Sequence, residues 1–183
     1  FGPFSNELAK HGTLKGLHDT FVTAQLAGLD FNLDVLVKAN AITAEQATKI
    51  KGLFTADNPL LQIDQAVLVH NDFADWNQLT DGKTITGIID FDEAVGGDPI
   101  SDIACWSTFF NPSRLEHFLE GYWNNRDKPA DYEAKFELFR LRYTVSKMTL
   151  RIRRYSWDPS EAIKQRIQDG TEHLAASMKY FGF

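Results

Sequence analysis

The chain has 183 residues, is 43% hydrophobic and 13% aromatic, and carries a net charge of −6. That is enough length and apolar material for one domain with a sizeable core, and it excludes a disordered segment. The acidic balance argues against nucleic acid as the main partner, and no apolar run is long enough to span a bilayer, so no membrane is expected as a partner.

The chain starts at Phe1 with no Met, no basic n-region and no apolar h-region. Its opening residues are not read as a signal peptide, and a fragment of a longer protein is expected. Residues 1 to about 58 read as helical. Leu14, Leu17, Phe21 and Gln25-Leu26 keep a 3.6-residue period. Asn32 to Lys38 fits a second short helix. Thr43-Ala44-Glu45-Gln46 has the form of a capping box and starts a helix through Phe54, which Asn58-Pro59 ends. The centre reads as β structure. Ala66 to His70 is a short apolar run, and Asn77–Thr80 and Thr84–Asp90 flank the hairpin turn signal Asp81-Gly82. Gly96-Gly97-Asp98-Pro99 reads as a turn or loop. Helices are then predicted over Ile100–Phe109, which holds Cys105, and over Ser113–Trp123. That single cysteine has no internal disulfide partner, reads as a buried small residue, and suits a reducing, cytoplasmic compartment. A long helix follows over Asp131–Tyr155, with Leu138, Leu141, Val145, Met148, Ile152 and Tyr155 on one buried stripe. Asp158-Pro159-Ser160 restarts a last helix to about Tyr180. The predicted class is α+β and mostly helical.

The charges are unevenly placed. Nine acids lie between Leu61 and Ala104, against Lys83 alone. Acids crowded into an apolar hairpin repel one another unless a cation sits among them, and a metal ion would serve. Residues 133–154 reverse the balance with seven basic residues and two acids, read as a solvated helix face.

The densest chemistry is in His70-Asn71-Asp72-Phe73-Ala74-Asp75-Trp76-Asn77 and in Ile89-Asp90-Phe91. Asp72 follows a strand, where a carboxylate can accept the proton of an attacking hydroxyl or orient it. The amide oxygen of Asn77 is a suitable hard ligand for Mg²⁺, and Asp90 ends the strand that pairs back against it, so the two can converge on one ion. Mg²⁺ fills its other positions with water and phosphate oxygens, which points to a nucleotide and to phosphoryl transfer. His70 is read as a buried, hydrogen-bonded residue that holds the loop, since no second His or Cys stands at ligand spacing. Asp102 is expected to act near its own helix N-terminus. Asp98 is either an orienting residue behind the site or a turn residue. Asp92 and Glu93 read as exposed loop acids, or as contacts to the metal region or to a cationic substrate. Leu79 and Ile89 are either an apolar floor under a nucleobase or plain core.

The first block resembles the Brenner-type motif of the aminoglycoside phosphotransferase and choline kinase superfamily. Ile88-Ile89-Asp90-Phe91-Asp92-Glu93-Ala94 and Gly97-Asp98-Pro99 with Asp102 resemble its second block. The resemblance implies a protein-kinase-like fold, ATP or GTP as donor, and Mg²⁺. It implies Asp72 as catalytic base, Asn77 and Asp90 as metal ligands, His70 as loop anchor, and Leu79 and Ile89 as nucleobase contacts. The motif begins only 70 residues into the chain, and no Gly-rich strand-turn-strand followed by an apolar-flanked lysine precedes it. Residues 1–183 are therefore expected to be the C-terminal lobe alone, without the N-terminal nucleotide lobe, and inefficient in phosphoryl transfer when isolated.

The reaction expected of the parent protein is in-line transfer of a γ-phosphoryl group to a hydroxyl of a small molecule: an antibiotic, a choline-like amino alcohol or a sugar. An acidic rim of Asp75, Asp92 or Glu93 would favour an amine-bearing acceptor. Two alternatives stand beside it. One is a catalytically silent kinase-like module that binds a ligand or partner; the other is a metal-dependent hydrolase, which would need a second metal site.

Overall fold

The computed structural model of the chain describes residues 1–109 and 112–183. Its longest element, α7 (Tyr132–Tyr155), is also its centre. Leu138, Leu141, Val145 and Met148 are fully buried along it. The predicted stripe surfaces further on, where Ile152 is partly buried and Tyr155 is 36% exposed. Thr144 and Thr149 flanking the stripe and Phe136 and Phe139 on the opposite face are buried too, so α7 is packed from several sides rather than along one stripe. Its partners are α3 (Leu29–Lys38), α5 (Ile100–Ser107) and α8 (Glu161–Tyr180). A Cβ at Gly170 of α8 would collide with the sulfur of Met148, so glycine there sets how closely the two long helices approach.

Before α3 the structure departs from the sequence reading. Helix is confined to α1 (Asn6–Ala9) and α2 (Phe21–Leu26), and Leu14 and Leu17 are 68% and 62% exposed. Their 3.6-residue spacing is accidental. Gly12 at φ 74° and Gly16 weaken helix there, and the backbone of 15–18 is used in extended pairing. Leu17 N–H donates to Pro3 O and His18 N–H to Phe1 O, which brings the segment against β1 (Gly2–Pro3). The Thr43 capping box is formed and starts α4 (Ala44–Gly52).

The small β element has two parts. A three-stranded antiparallel sheet has the order β1, β5 (Val95–Gly97), β2 (Val67–Val69). A separate hairpin pairs β3 (Gln78–Thr80) with β4 (Ile85–Ile88) around Asp81-Gly82, where Asp81 accepts the N–H groups of Lys83 and Thr84. The Gly96-Gly97 pair, predicted as loop, is the middle strand of the first sheet. Two glycines carry a strong turn signal. In the fold the second of them packs closely: a Cβ at Gly97 would stand 3.3 Å from Val69 Cγ2. The helix α6 (Pro112–Trp123) lies beside α5. The architecture is α+β and mostly helical, with its core built from α2 through α8 and its small sheets on one side.

Candidate active site

Two loops meet at the open end of the β element. One follows β2 and carries residues 70–77; the other follows β4 and carries residues 89–93. A single histidine braces both. His70, 4% exposed, accepts the Asp72 N–H at Nδ1 (3.3 Å), and its Nε2 lies 2.9 Å from Ile89 O. A ring whose Nδ1 accepts must carry its proton on Nε2, so the second bond is a donation to the carbonyl. Phe91 packs on the same ring at 4.6 Å between centroids. Ile89 N–H also donates to Asn77 O at 3.0 Å, which joins the loops a second time.

Asp102 does not cap its own helix. Its Oδ2 and Oδ1 accept the N–H groups of His70 and Asn71, both at 2.9 Å. Burial pushes its carboxyl up from the ordinary carboxylate range, and the two N–H donors hold it down in part. It thus fixes a turn in which Asn71 sits at φ 64°, a left-handed conformation that a non-glycine residue needs help to hold. The Cys105 thiol points at Asn71 O (3.7 Å) and is buried as the sequence implies, with burial pushing its pKa up to about 12. Asp98 is both a turn residue and a brace. One oxygen accepts Ile100 N–H at 2.9 Å, and the other is 3.1 Å from Lys135 Nζ in a buried pair.

Asp72 stands where these constraints converge. Asn77 Nδ2 donates to Asp72 O at 2.9 Å and lies 3.5 Å from Asp72 Oδ2. Asp72 Oδ1 faces the other way, 3.2 Å from Lys147 Nζ and 3.4 Å from the Tyr143 hydroxyl. Lys147 is shared with Glu93 Oε2 at 3.1 Å. The Tyr143 hydroxyl makes its shorter bond, 3.1 Å, to Asn71 O, and burial pushes its pKa up, so it stays a donor.

The reading of residues 133–154 as a solvated face is therefore corrected. Lys147 binds the loop. Arg142 donates to Gln25 O and Ala27 O at 2.7 and 2.9 Å, closing the end of α2. Burial lowers the Arg142 pKa to about 10. The sequence carries no signal that singles out Tyr143 and Lys147 beyond their i, i+4 spacing, which a solvated face shows as readily.

The expected acidic rim is also changed. Glu93 is paired with Lys147, and Asp75 with Arg114. Among the described residues, Asp90 and Asp92 make no hydrogen bond or ion pair, and both are exposed. Asp90 sits at φ 66° and opens the short 3-10 turn Phe91–Glu93. Leu79 and Ile89 are 49% and 44% exposed, so they are surface rather than core. Leu68, Ile88 and Phe91 are exposed as well. Behind the loops lies a cavity of about 430 Å³, walled by Asn71, Glu93, Tyr143 and Lys147 on one side and by Phe21 and Phe139 on the other.

The residues present fit a nucleotide-bound Mg²⁺. The Asn77 amide nitrogen is committed to Asp72 O, which leaves its Oδ1 as a free hard donor, and the Asp90 carboxylate has no protein partner among the described residues. Among the described residues no group of three or more His, Cys, Asp or Glu is gathered as a metal site, so the hydrolase reading finds no second ligand set.

The chain is α+β and mostly helical, with a carboxylate and an amide side by side on a histidine-braced loop, and it has a protein-kinase-like fold. Two solved structures share it. One is a thermostable mutant of aminoglycoside phosphotransferase APH(4)-Ia in its apo form, 18% identical, with a TM-score of 0.60 over 91% of this chain and 55% of that one. The other is the gentamicin–APH(2")-IIa complex, 18% identical, with a TM-score of 0.50 over 84% of this chain and 50% of that one. The chain thus spans about half the length of the solved structures it matches. No curated protein sequence matches it. The model of the phosphotransferase enzyme family matches residues 8–160, and the chain belongs to that family. No helix among the described residues is long and apolar enough to cross a membrane.

Proposed function

We propose that this chain is the catalytic-loop and acceptor-binding lobe of an ATP- or GTP-dependent O-phosphotransferase acting on a small-molecule hydroxyl. The observation that carries this is the pairing of Asp72 with Asn77, with Asp90 on the adjoining loop left without a protein partner among the described residues. Asp72 receives the acceptor hydroxyl at Oδ2, orients it, and takes its proton as the new bond to phosphorus forms. Asn77 and Asp90 would hold Mg²⁺, which would neutralise charge developing on the transferred phosphoryl group. Leu79 and Ile89 give the nucleobase an apolar bed. His70 and Asp102 keep the 70–77 loop in one shape, which matters because positioning is most of this chemistry.

The other half of the site belongs to an N-terminal lobe. The solved structures matched are about twice the length of the matched region, and the exposed Leu79 and Ile89 are where a second lobe would cover the nucleotide. The acceptor sits on the Oδ2 side of Asp72, away from the cavity walled by Tyr143 and Lys147. With Asp75 and Glu93 already in ion pairs, amine recognition falls to Asp92. The reducing environment suited to the single buried cysteine supports a cytoplasmic setting.

The experiment is a phosphate-transfer screen of the full-length protein with Mg–ATP and Mg–GTP against antibiotics, amino alcohols and sugars. Transfer to one acceptor that Asp72→Ala abolishes is the expected result. Near-normal transfer by Asp72→Ala would overturn the assignment of the base. Efficient multiple turnover by residues 1–183 alone would overturn the need for a second lobe.

A further inference from the structure

We propose that Lys147 and Tyr143 are positioning residues for this reaction: from one face of α7 they hold Oδ1 of Asp72, so that Oδ2 alone meets the acceptor hydroxyl. The inference rests on the reading of Asp72 given above. It assigns work to two residues outside both sequence motifs.

The two side chains are four residues apart and project from the same side of the helix. They take different parts of the loop. Tyr143 holds the carbonyl of Asn71, the residue in left-handed conformation just before Asp72, at 3.1 Å. Lys147 holds the carboxylate itself at 3.2 Å. The Lys147 ammonium also lies 5.2 Å from the centre of the Tyr143 ring, which ties the pair together.

Lys147 differs from an ordinary surface ion-pair residue. Its side chain is 16% exposed and that of Asp72 25%. At that burial a cation needs partners, and Lys147 has two carboxylates, Asp72 and Glu93 at 3.1 Å. Each of these carboxylates comes from a different one of the two loops that form the site. Without the ammonium they would face each other and repel, and Asp72 is then free to swing from its working orientation. A displacement of about 1 Å at such a group costs on the order of 10²-fold in rate. Lys147 therefore sets the spacing of the two loops, and Asp72 inherits its orientation from that spacing.

The test uses the full-length protein with Mg–ATP and water as acceptor, since that turnover needs no identified substrate. Lys147→Met is expected to lower kcat about tenfold or more while the KM for Mg–ATP stays within about twofold. Lys147→Arg, which keeps the charge and reach, is expected to recover most of the loss. Tyr143→Phe is expected to fall between them. A Lys147→Met enzyme with kcat within about twofold of wild type overturns the proposal, as does a parallel change in kcat and KM. A second readout stands apart from turnover: the ¹H–¹⁵N signal of the Lys147 ammonium should shift in Asp72→Asn and again in Glu93→Gln. A signal that ignores both substitutions also overturns it. Failure of the phosphotransferase reading looks different: the wild-type protein would neither bind Mg–ATP nor turn it over, and the ammonium signal would still decide whether Lys147 holds Asp72.

Discussion

The two sides of Asp72 are built to different degrees. On the α7 side Asp72 is held: Oδ1 meets Lys147 and Tyr143, Lys147 meets Glu93, and Arg142 closes the end of α2. On the hairpin side the groups are open. Asp90 has no partner among the described residues, the Asn77 oxygen is free of protein donors, and Leu79 and Ile89 are half exposed. A finished protein surface rarely leaves an amide oxygen, a carboxylate and large apolar side chains unpartnered in one region. The contrast separates what the chain holds in place from what it leaves open.

Several substitutions would break that contrast if it is wrong. The largest effect is expected at its centre. In the full-length protein Asp72→Ala should lower kcat by on the order of 10²-fold or more while calorimetry shows Mg–ATP still binding, because a general base acts in the transition state rather than in nucleotide affinity. Next is the closed side. Leu141→Ala, within the fully buried core of α7, should cost about 2–5 kcal/mol in denaturant unfolding. Leu79→Ala on the open side should cost less than about 1 kcal/mol and raise the KM for nucleotide instead. Equal destabilisation by the two would mean that the hairpin face is core after all.

Asp102→Asn sharpens the comparison from beneath. The carboxylate accepts two N–H groups, and an amide offers one oxygen, so one donor of the loop is left unmet. The expected loss is about 1–3 kcal/mol in stability, with a fall in kcat as the Asn71 turn loosens. The smallest effect is a pH dependence. The Cys105 thiol is pushed up from its ordinary value of 9.0 to about 12 in the folded chain. Between those values the unfolded chain loses the proton that the folded chain keeps, so stability falls as pH rises through the window. Urea unfolding at pH 9 to 11 should show a shallower decline for Cys105→Ala than for wild type.

Much of this site is legible in the sequence, because a short motif fixes its own geometry. His70, Asp72 and Asn77 lie within eight residues, and a loop that tight brings them together on any backbone that can hold it. The hairpin signal Asp81-Gly82 then returns Ile89 and Asp90 to the same place. What the sequence hides depends on distant chain. Tyr143 and Lys147 reach Asp72 from about seventy residues away, and their spacing is that of any solvated helix face. Asp102 looks like a helix-start residue, and its real partners are more than thirty positions earlier. The Leu14–Leu26 period and the Gly96-Gly97 pair mislead for one reason: local preference gives way to pairing in a sheet whose strands come from both ends of the region.

The central claim is that Asn77 and Asp90 present their oxygens to one Mg²⁺ beside Asp72. A crystal structure of the full-length protein with Mg²⁺ and a non-hydrolysable ATP analogue tests it directly. The account predicts Asn77 Oδ1 and an Asp90 carboxylate oxygen on the same ion at about 2.0–2.1 Å, with Asp72 Oδ2 facing the terminal phosphate. An ion bound elsewhere, or Asp72 turned away from the phosphate, would contradict it.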